Sequence, residues 1–331
     1  MVKICTHITR GKIVESVHYS KCLIKDYNFK TIFSTGREND LIFPRSAIKI
    51  FQAIPFIHSK AHDKFNLNKK QIAISCSSHC GENIHLKVLK DWLNKLKISN
   101  KVLKCGVHNP LNPDSSNNLL LSGKIPNQLH NNCAGKHLGM ISGSLAYKMN
   151  IKNYVNIESP YQKLIRESLE YFTKCKINKY QRGIDGCSAP QYAFPINNLA
   201  ASMINFLKNL NEKKKYTNEI NILANSIAKY PELTGSKIIY PCQLMIATNG
   251  KIFAKGGAEG VLLFAHKEKK IGGVIKVKDG NERAIPSIAN QILKKLKILN
   301  RNEKKILSKW SKQKIYNHAK INVGEIYTKL T

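Results

Sequence analysis

Short apolar runs broken by polar positions mark both ends of the chain as strand. Lys12 to Val17, Tyr19 to Ile24 and Thr31 to Phe33 carry this pattern early, and Gln243 to Ala247, Lys251 to Ala254, Val261 to His266 and Ile271 to Val277 read as strand late. Thr248-Asn249-Gly250 between two of the late segments is a hairpin signal, because Asn and Gly tolerate the positive φ of a tight turn. The middle of the chain changes period. Gly81 to Ile98 puts Ile84, Val88, Trp92 and Leu96 on one helical stripe, and Ser159 to Cys175 and Asn197 to Leu210 read the same way, with Pro190 and Pro195 breaking the chain before the last. The pattern predicts an α/β chain with one antiparallel sheet built from both ends, a helical middle lobe, and Ile285 to Leu299 as a helix covering the sheet. The expected layout is a single domain over 1–331, with a sheet lobe at about 1–60 and 235–331, a helical lobe at about 61–234 and a cleft between them.

Charge changes this picture less than its size suggests. The formal net charge of +33 invites a polyanion partner. Yet only seven of the 54 basic residues are arginine, the side chain whose planar fork reads nucleic acid, and the lysines are spread evenly among Asn and Ile. A solvated lysine surface is the plainer reading, and no nucleic-acid partner is expected. The first twenty residues hold no unbroken apolar stretch, so neither a signal peptide nor a membrane span is expected. Nine cysteines in irregular spacing point to reduced thiols and a cytoplasmic location.

Candidate chemistry begins at Pro44-Arg45-Ser46-Ala47-Ile48-Lys49, where a helix should start. Ser46 and Lys49, three residues apart, face one side of such a helix, so an amine can reach a hydroxyl. Alone, this spacing is common in any lysine-rich chain. Two later segments give it context: Ser75-Cys76-Ser77-Ser78-His79-Cys80-Gly81-Glu82 at a strand-to-helix turn, and Lys255-Gly256-Gly257 after a strand. Penicillin-binding and class A β-lactamase-like enzymes order their sites in this way, although their Ser-Asp-Asn loop is missing here. A lysine acting as base must be neutral, which requires lowering its pKa from roughly 10.4 by about three units, or about 4 kcal/mol. Burial and a second cation such as Lys255 can supply that, and Lys255 could equally deprotonate Ser78.

Two further segments carry thiols. Asn131-Asn132-Cys133-Ala134-Gly135-Lys136-His137 precedes a helix, and Gly183-Ile184-Asp185-Gly186-Cys187-Ser188-Ala189-Pro190-Gln191 forms a glycine-bounded loop. Two thiolates with a nitrogen donor suit zinc, the fourth position being left open. The spacing matches no common zinc motif, and from spacing alone buried cysteines are the simpler reading.

Taken together, these segments resemble the Rhizobium-type, thermolabile L-asparaginases, the asparaginase II family. The resemblance rests on Glu15-Ser16-Val17-His18, Pro44 to Lys49, Ser77 to Glu82, His130 to His137, Gly183 to Pro190 and Gly257-Ala258-Glu259-Gly260-Val261, all in family order and spanning most of the chain. It implies a glutaminase/β-lactamase-like fold and L-asparaginase activity. It also implies a Ser46–Lys49 pair, a Ser78–Lys255 pair, and zinc held by Cys133, Lys136 and Cys187, with His137 as the reserve ligand. Lysine binds zinc only when neutral, so metal and a depressed Lys136 pKa would each require the other. Arg45, His79, Asp185 and Glu259 are then candidates for binding substrate or orienting the lysines. The expected partners are L-asparagine and a second copy of the chain. The competing readings are a glutaminase or other small-amide hydrolase, one methylene being worth only about 1 to 3 kcal/mol of discrimination, and a basic nucleic-acid-binding protein.

Overall fold

A computed structural model describes residues 3–331. The architecture is α/β, and the chain divides into two compact units, 1–47 with 194–207 and 243–331, and 48–193 with 208–242. The first boundary thus falls earlier than residue 60, and 194–207 belongs with the sheet.

The first unit is built on an eight-stranded antiparallel sheet. Its strands are β1 (Ile4–Arg10), β2 (Ile13–Lys25), β3 (Thr31–Thr35), β4 (Ile252–Gly257), β5 (Val261–His266), β6 (Ile271–Val277), β7 (Lys312–Tyr316) and β8 (Asn322–Leu330). Their order is β7-β8-β1-β2-β6-β5-β4, and β3 pairs with the end of β2. The first and last strands are neighbours, Ile4 lying opposite Leu330. Val261 to His266 is buried at every position, which explains its unbroken apolar run. Each of its Val, Leu and Phe side chains contributes about 1.5–3 kcal/mol by leaving water. The helix Ile285–Lys295 buries Ile288, Ile292 and Leu293 and packs on β1, β6 and β8, while Phe206, in 194–207, meets Phe253 of β4 with ring centroids 5.0 Å apart.

One late segment departs from the expected strand. Gln243 to Ala247 lies in the helix Tyr240–Ala247, and Gly250 (φ 72°) closes its C-terminus by donating its N–H to the Met245 carbonyl at 2.8 Å. Asn249-Gly250 therefore caps a helix instead of turning a hairpin. The strands β1, β7 and β8 lie outside the segments read as strand from the sequence.

The second unit is helical. Asn83–Leu96 buries Val88, Trp92 and Leu96 while Ile84 stays exposed, and Trp92 donates its indole N–H to Ser142 Oγ at 3.0 Å on the helix Ala134–Ala146. Pro160–Thr173 stacks Phe172 on Phe51 at 4.3 Å. Among the described residues no helix is long and apolar enough to cross a membrane.

Candidate active site

Lys49 is the most unusual side chain of the second unit, an amine only 1% exposed. It opens the short helix Lys49–Gln52, buried along its whole length, so the amine must find its partners inside the protein. Lys49 Nζ donates to the Ser77 carbonyl, to Ser78 Oγ at 3.1 Å, and stands 3.3 Å from Cys133 Sγ. The Ser77–Ser78 segment is fixed by backbone bonds, Ser78 N–H to the Thr234 carbonyl at 3.0 Å and Cys80 N–H to the Gly235 carbonyl at 3.2 Å.

Cys133 comes to this point because Asn131 and Gly135 put it there. Asn131 Oδ1 accepts the Cys133 N–H at 2.9 Å, while Asn131 Nδ2 donates to the Cys105 carbonyl at 2.8 Å. A Cβ on Gly135 would lie 2.1 Å from the Ile74 carbonyl oxygen, so the helix Ala134–Ala146 can start where it does only with glycine there. One turn into it, Lys136 Nζ stands 3.1 Å from Cys187 Sγ. The two thiols share a hydrogen bond from Cys187 to Cys133. That bond, aided by Lys49 and Lys136 against the effect of burial, holds Cys133 well below the ordinary thiol range, while Cys187 is raised. Burial lowers the Lys136 amine, but Cys187 and Cys133 outweigh it and raise the amine above its usual value. The amine thus holds its proton, which zinc binding would have to displace.

The donor set of Cys133, Lys136 and Cys187 matches zinc's preference for sulfur and nitrogen. Among the described residues no three His, Cys, Asp or Glu side chains group so as to hold a metal, so the third donor would be Lys136. His137, wholly buried, has Nδ1 2.7 Å from Tyr154 Oη; burial lowers its pKa to about 4, opposed chiefly by a hydrogen bond with Cys187. Tyr154 Oη also accepts the Lys104 N–H at 2.7 Å, a support for this loop that no sequence motif announced.

In the first unit Ser46 lies half-buried on the 3₁₀ turn Arg45–Ile48. A Cβ on Gly257 would fall 2.3 Å from the Pro44 carbonyl oxygen and 3.2 Å from Ser46 N, so the end of β4 lies directly against the turn that carries Ser46. Two residues earlier Lys255 is buried, its Nζ donating to the Gly256 carbonyl at 3.0 Å. Burial raises the Glu282 carboxyl, opposed chiefly by Lys255; sequence reading had not singled out this residue. Arg45 (φ 51°) and Glu259 (φ 63°) both take left-handed backbone, and Glu259 is exposed.

The remaining candidates, His79 and Asp185, make hydrogen bonds within their own loops. His79 is fully buried, accepts the Gly81 N–H at Nδ1 (3.2 Å) and stacks on His85 at 5.2 Å. Asp185 Oδ1 accepts the Gly186 N–H at 2.8 Å, and Asp185 also acts electrostatically on Lys136.

The family model described as L-asparaginase II matches residues 6–328. None of the curated proteins compared with the chain matches it. Among solved structures, a "putative beta-lactamase" from Bacteroides dorei DSM 17855 is similar at 11% identity with a TM-score of 0.43, over 83% of this chain and 92% of that one.

Proposed function

The chain belongs to the L-asparaginase II family and is an L-asparaginase, and from that premise we propose that it cleaves the side-chain amide of L-asparagine with a serine–lysine site supported by zinc. The observation that carries the reading is the buried Lys49 amine, 3.1 Å from Ser78 Oγ and 3.3 Å from Cys133 Sγ. Ser46 supplies the attacking hydroxyl. Its oxygen bonds to the amide carbon while its proton passes to Lys49, and backbone N–H groups stabilise the oxyanion. The C–N bond then breaks, Lys49 returns the proton, and ammonia leaves. Water cleaves the ester, releasing L-aspartate and restoring the serine. Ser78 holds the Lys49 amine in place, and Lys255 supports it as a second cation. Cys133, Lys136 and Cys187 would hold the zinc ion, which supplies Lewis acidity when bound. Arg45, His79, Asp185 and Glu259 bind substrate or orient the lysines.

Ammonia release from purified protein is the test. Release from L-asparagine, with a specificity constant above that for L-glutamine, supports the reading. Absence of release, or release unaffected by Ser46→Ala, refutes it.

A further inference from the structure

The second unit contains a cavity of about 550 Å³ that the amide-cleaving residues do not line. Its size lies within the roughly 300–1,000 Å³ of small-molecule sites. Lys90, Lys124 and His130 line it, and none of its described lining residues is acidic. Three acids adjoin lining residues in sequence: Glu82 is engaged by Asn112 Nδ2 at 3.4 Å, Asp91 by Gln71 and by Lys95 at 3.2 Å, and Asp114 lies in the first turn of the helix Pro113–Leu121. His130 is buried, its Nδ1 lying 2.9 Å from the Asn127 N–H and 3.3 Å from the Asn127 carbonyl; in the tautomer where Nδ1 accepts, Nε2 carries the proton and is a donor. Asn83, Asn118 and Ser115 add polar groups, while Leu86, Leu119 and Leu129 supply aliphatic wall. One side is formed by the helix Pro113–Leu121, which buries no side chain of its own.

We propose that this cavity binds a small organic anion, a carboxylate on a short aliphatic body, and that its occupancy is felt at the amide-cleaving site. The second clause rests on the function proposed above. Gly81, on the cavity wall, donates its N–H to His79 and lies three residues from Ser78; His130 lies three residues from Cys133. Ser77, Ser78 and Cys133, the partners of Lys49, are thus borne on segments that the cavity touches. Gly81 leaves no slack there, since a Cβ on it would be 2.8 Å from Pro110 Cβ.

Calorimetric titration with sodium hexanoate, compared with neutral hexanamide, is the test, on the wild type and on the double variant Lys90→Ala, Lys124→Ala. The expected result is that hexanoate binds, hexanamide binds at least about tenfold more weakly, and the double variant, melting like the wild type, loses at least about tenfold in affinity. No binding of hexanoate, equal binding of hexanamide, or undiminished binding by the double variant overturns the site; the last would place the carboxylate elsewhere, as in the asparagine pocket. These binding results hold whether or not the protein hydrolyses asparagine. In the active enzyme hexanoate is expected to shift KM for asparagine by about fivefold or more. Binding that leaves asparagine turnover unchanged overturns the coupling.

Discussion

Lys49 Nζ donates to Ser78 Oγ across 3.1 Å, so the lysine of the Ser-x-x-Lys segment is tied to the serine of a different loop. In the proposed mechanism, where Lys49 is also the base for Ser46, the two serines are unequal. Ser46→Ala and Lys49→Ala are expected to lower kcat/KM for asparagine by about 10³-fold or more, and Ser78→Ala by about 10²-fold, because it disturbs the base without removing the attacking atom. Lys49→Arg should not rescue, since guanidinium cannot give up a proton in this range. Ammonia release across these variants measures all four; a Ser78→Ala enzyme as active as the wild type would contradict the shared lysine.

Gly257 offers a geometric test of how Ser46 is held. With its would-be Cβ 2.3 Å from the Pro44 carbonyl oxygen, Gly257→Ala must push the Ser46 turn aside. Activity is expected to fall at least about tenfold, through displacement of a reacting group by a fraction of an ångström or more. Gly186→Ala, at a position with nothing within 4 Å of the added carbon, serves as the control and should keep nearly full activity. Equal activity in the two variants would show that the contact does not matter.

The thiols make a prediction about metal. Protein prepared without chelator is expected to carry about one zinc ion per chain, and Cys133→Ser or Cys187→Ser to lose it, as expected of a site with only three protein donors. Binding should release protons, because Lys136 and Cys187 hold theirs in the metal-free state. Elemental analysis reads the first effect and pH-stat titration of the chelator-stripped protein the second. Metal-free protein from such a preparation would remove zinc from the mechanism.

Acid should destabilise this protein early. Burial lowers His79 well below its usual value and also lowers His85, His62 and His266, so the folded state keeps these imidazoles neutral where the unfolded chain would take up protons. The stability they protect is full above the unfolded histidine value of about 6.5, and it is lost as pH falls from there towards the lower folded values. Each fully buried histidine contributes a slope of up to about 1.4 kcal/mol per pH unit in that window. The melting temperature is therefore expected to be clearly lower at pH 5.5 than at pH 7.5, and equal values would contradict the burial argument.

The parts of this structure legible in the sequence are those with a strong local signal. Trp92 and Val88 announce their helix because period and burial coincide, and Val261 to His266 announces a fully buried strand by its unbroken apolar run. Gln243 to Ala247 misleads because a run apolar on all sides has no period, and Asn249-Gly250 suits a helix cap as well as a hairpin. In β8 alternate residues are buried beneath an exterior that includes Lys329 and Glu325, too mixed to stand out. The site divides in the same way. Residue types were visible in the motifs, but the Lys49–Ser78 bond spans loops far apart in sequence, and the need for glycine at 135 comes from the Ile74 carbonyl, which no local pattern contains.

The sheet register also sets an order of events during synthesis. Lys25 of β2 pairs with Gly272, and Ile4 of β1 with Leu330, so the outer edges of the β1–β2 ribbon find their partners only in the last part of the chain to be made. At about 5–20 residues per second, the β1–β2 ribbon waits on the order of tens of seconds beside the ribosome. During that wait its edges are unpaired, guarded mainly by charge and by whatever chaperone binds it. Slowing translation near the end of the message should therefore lower the soluble yield more than slowing it near the start.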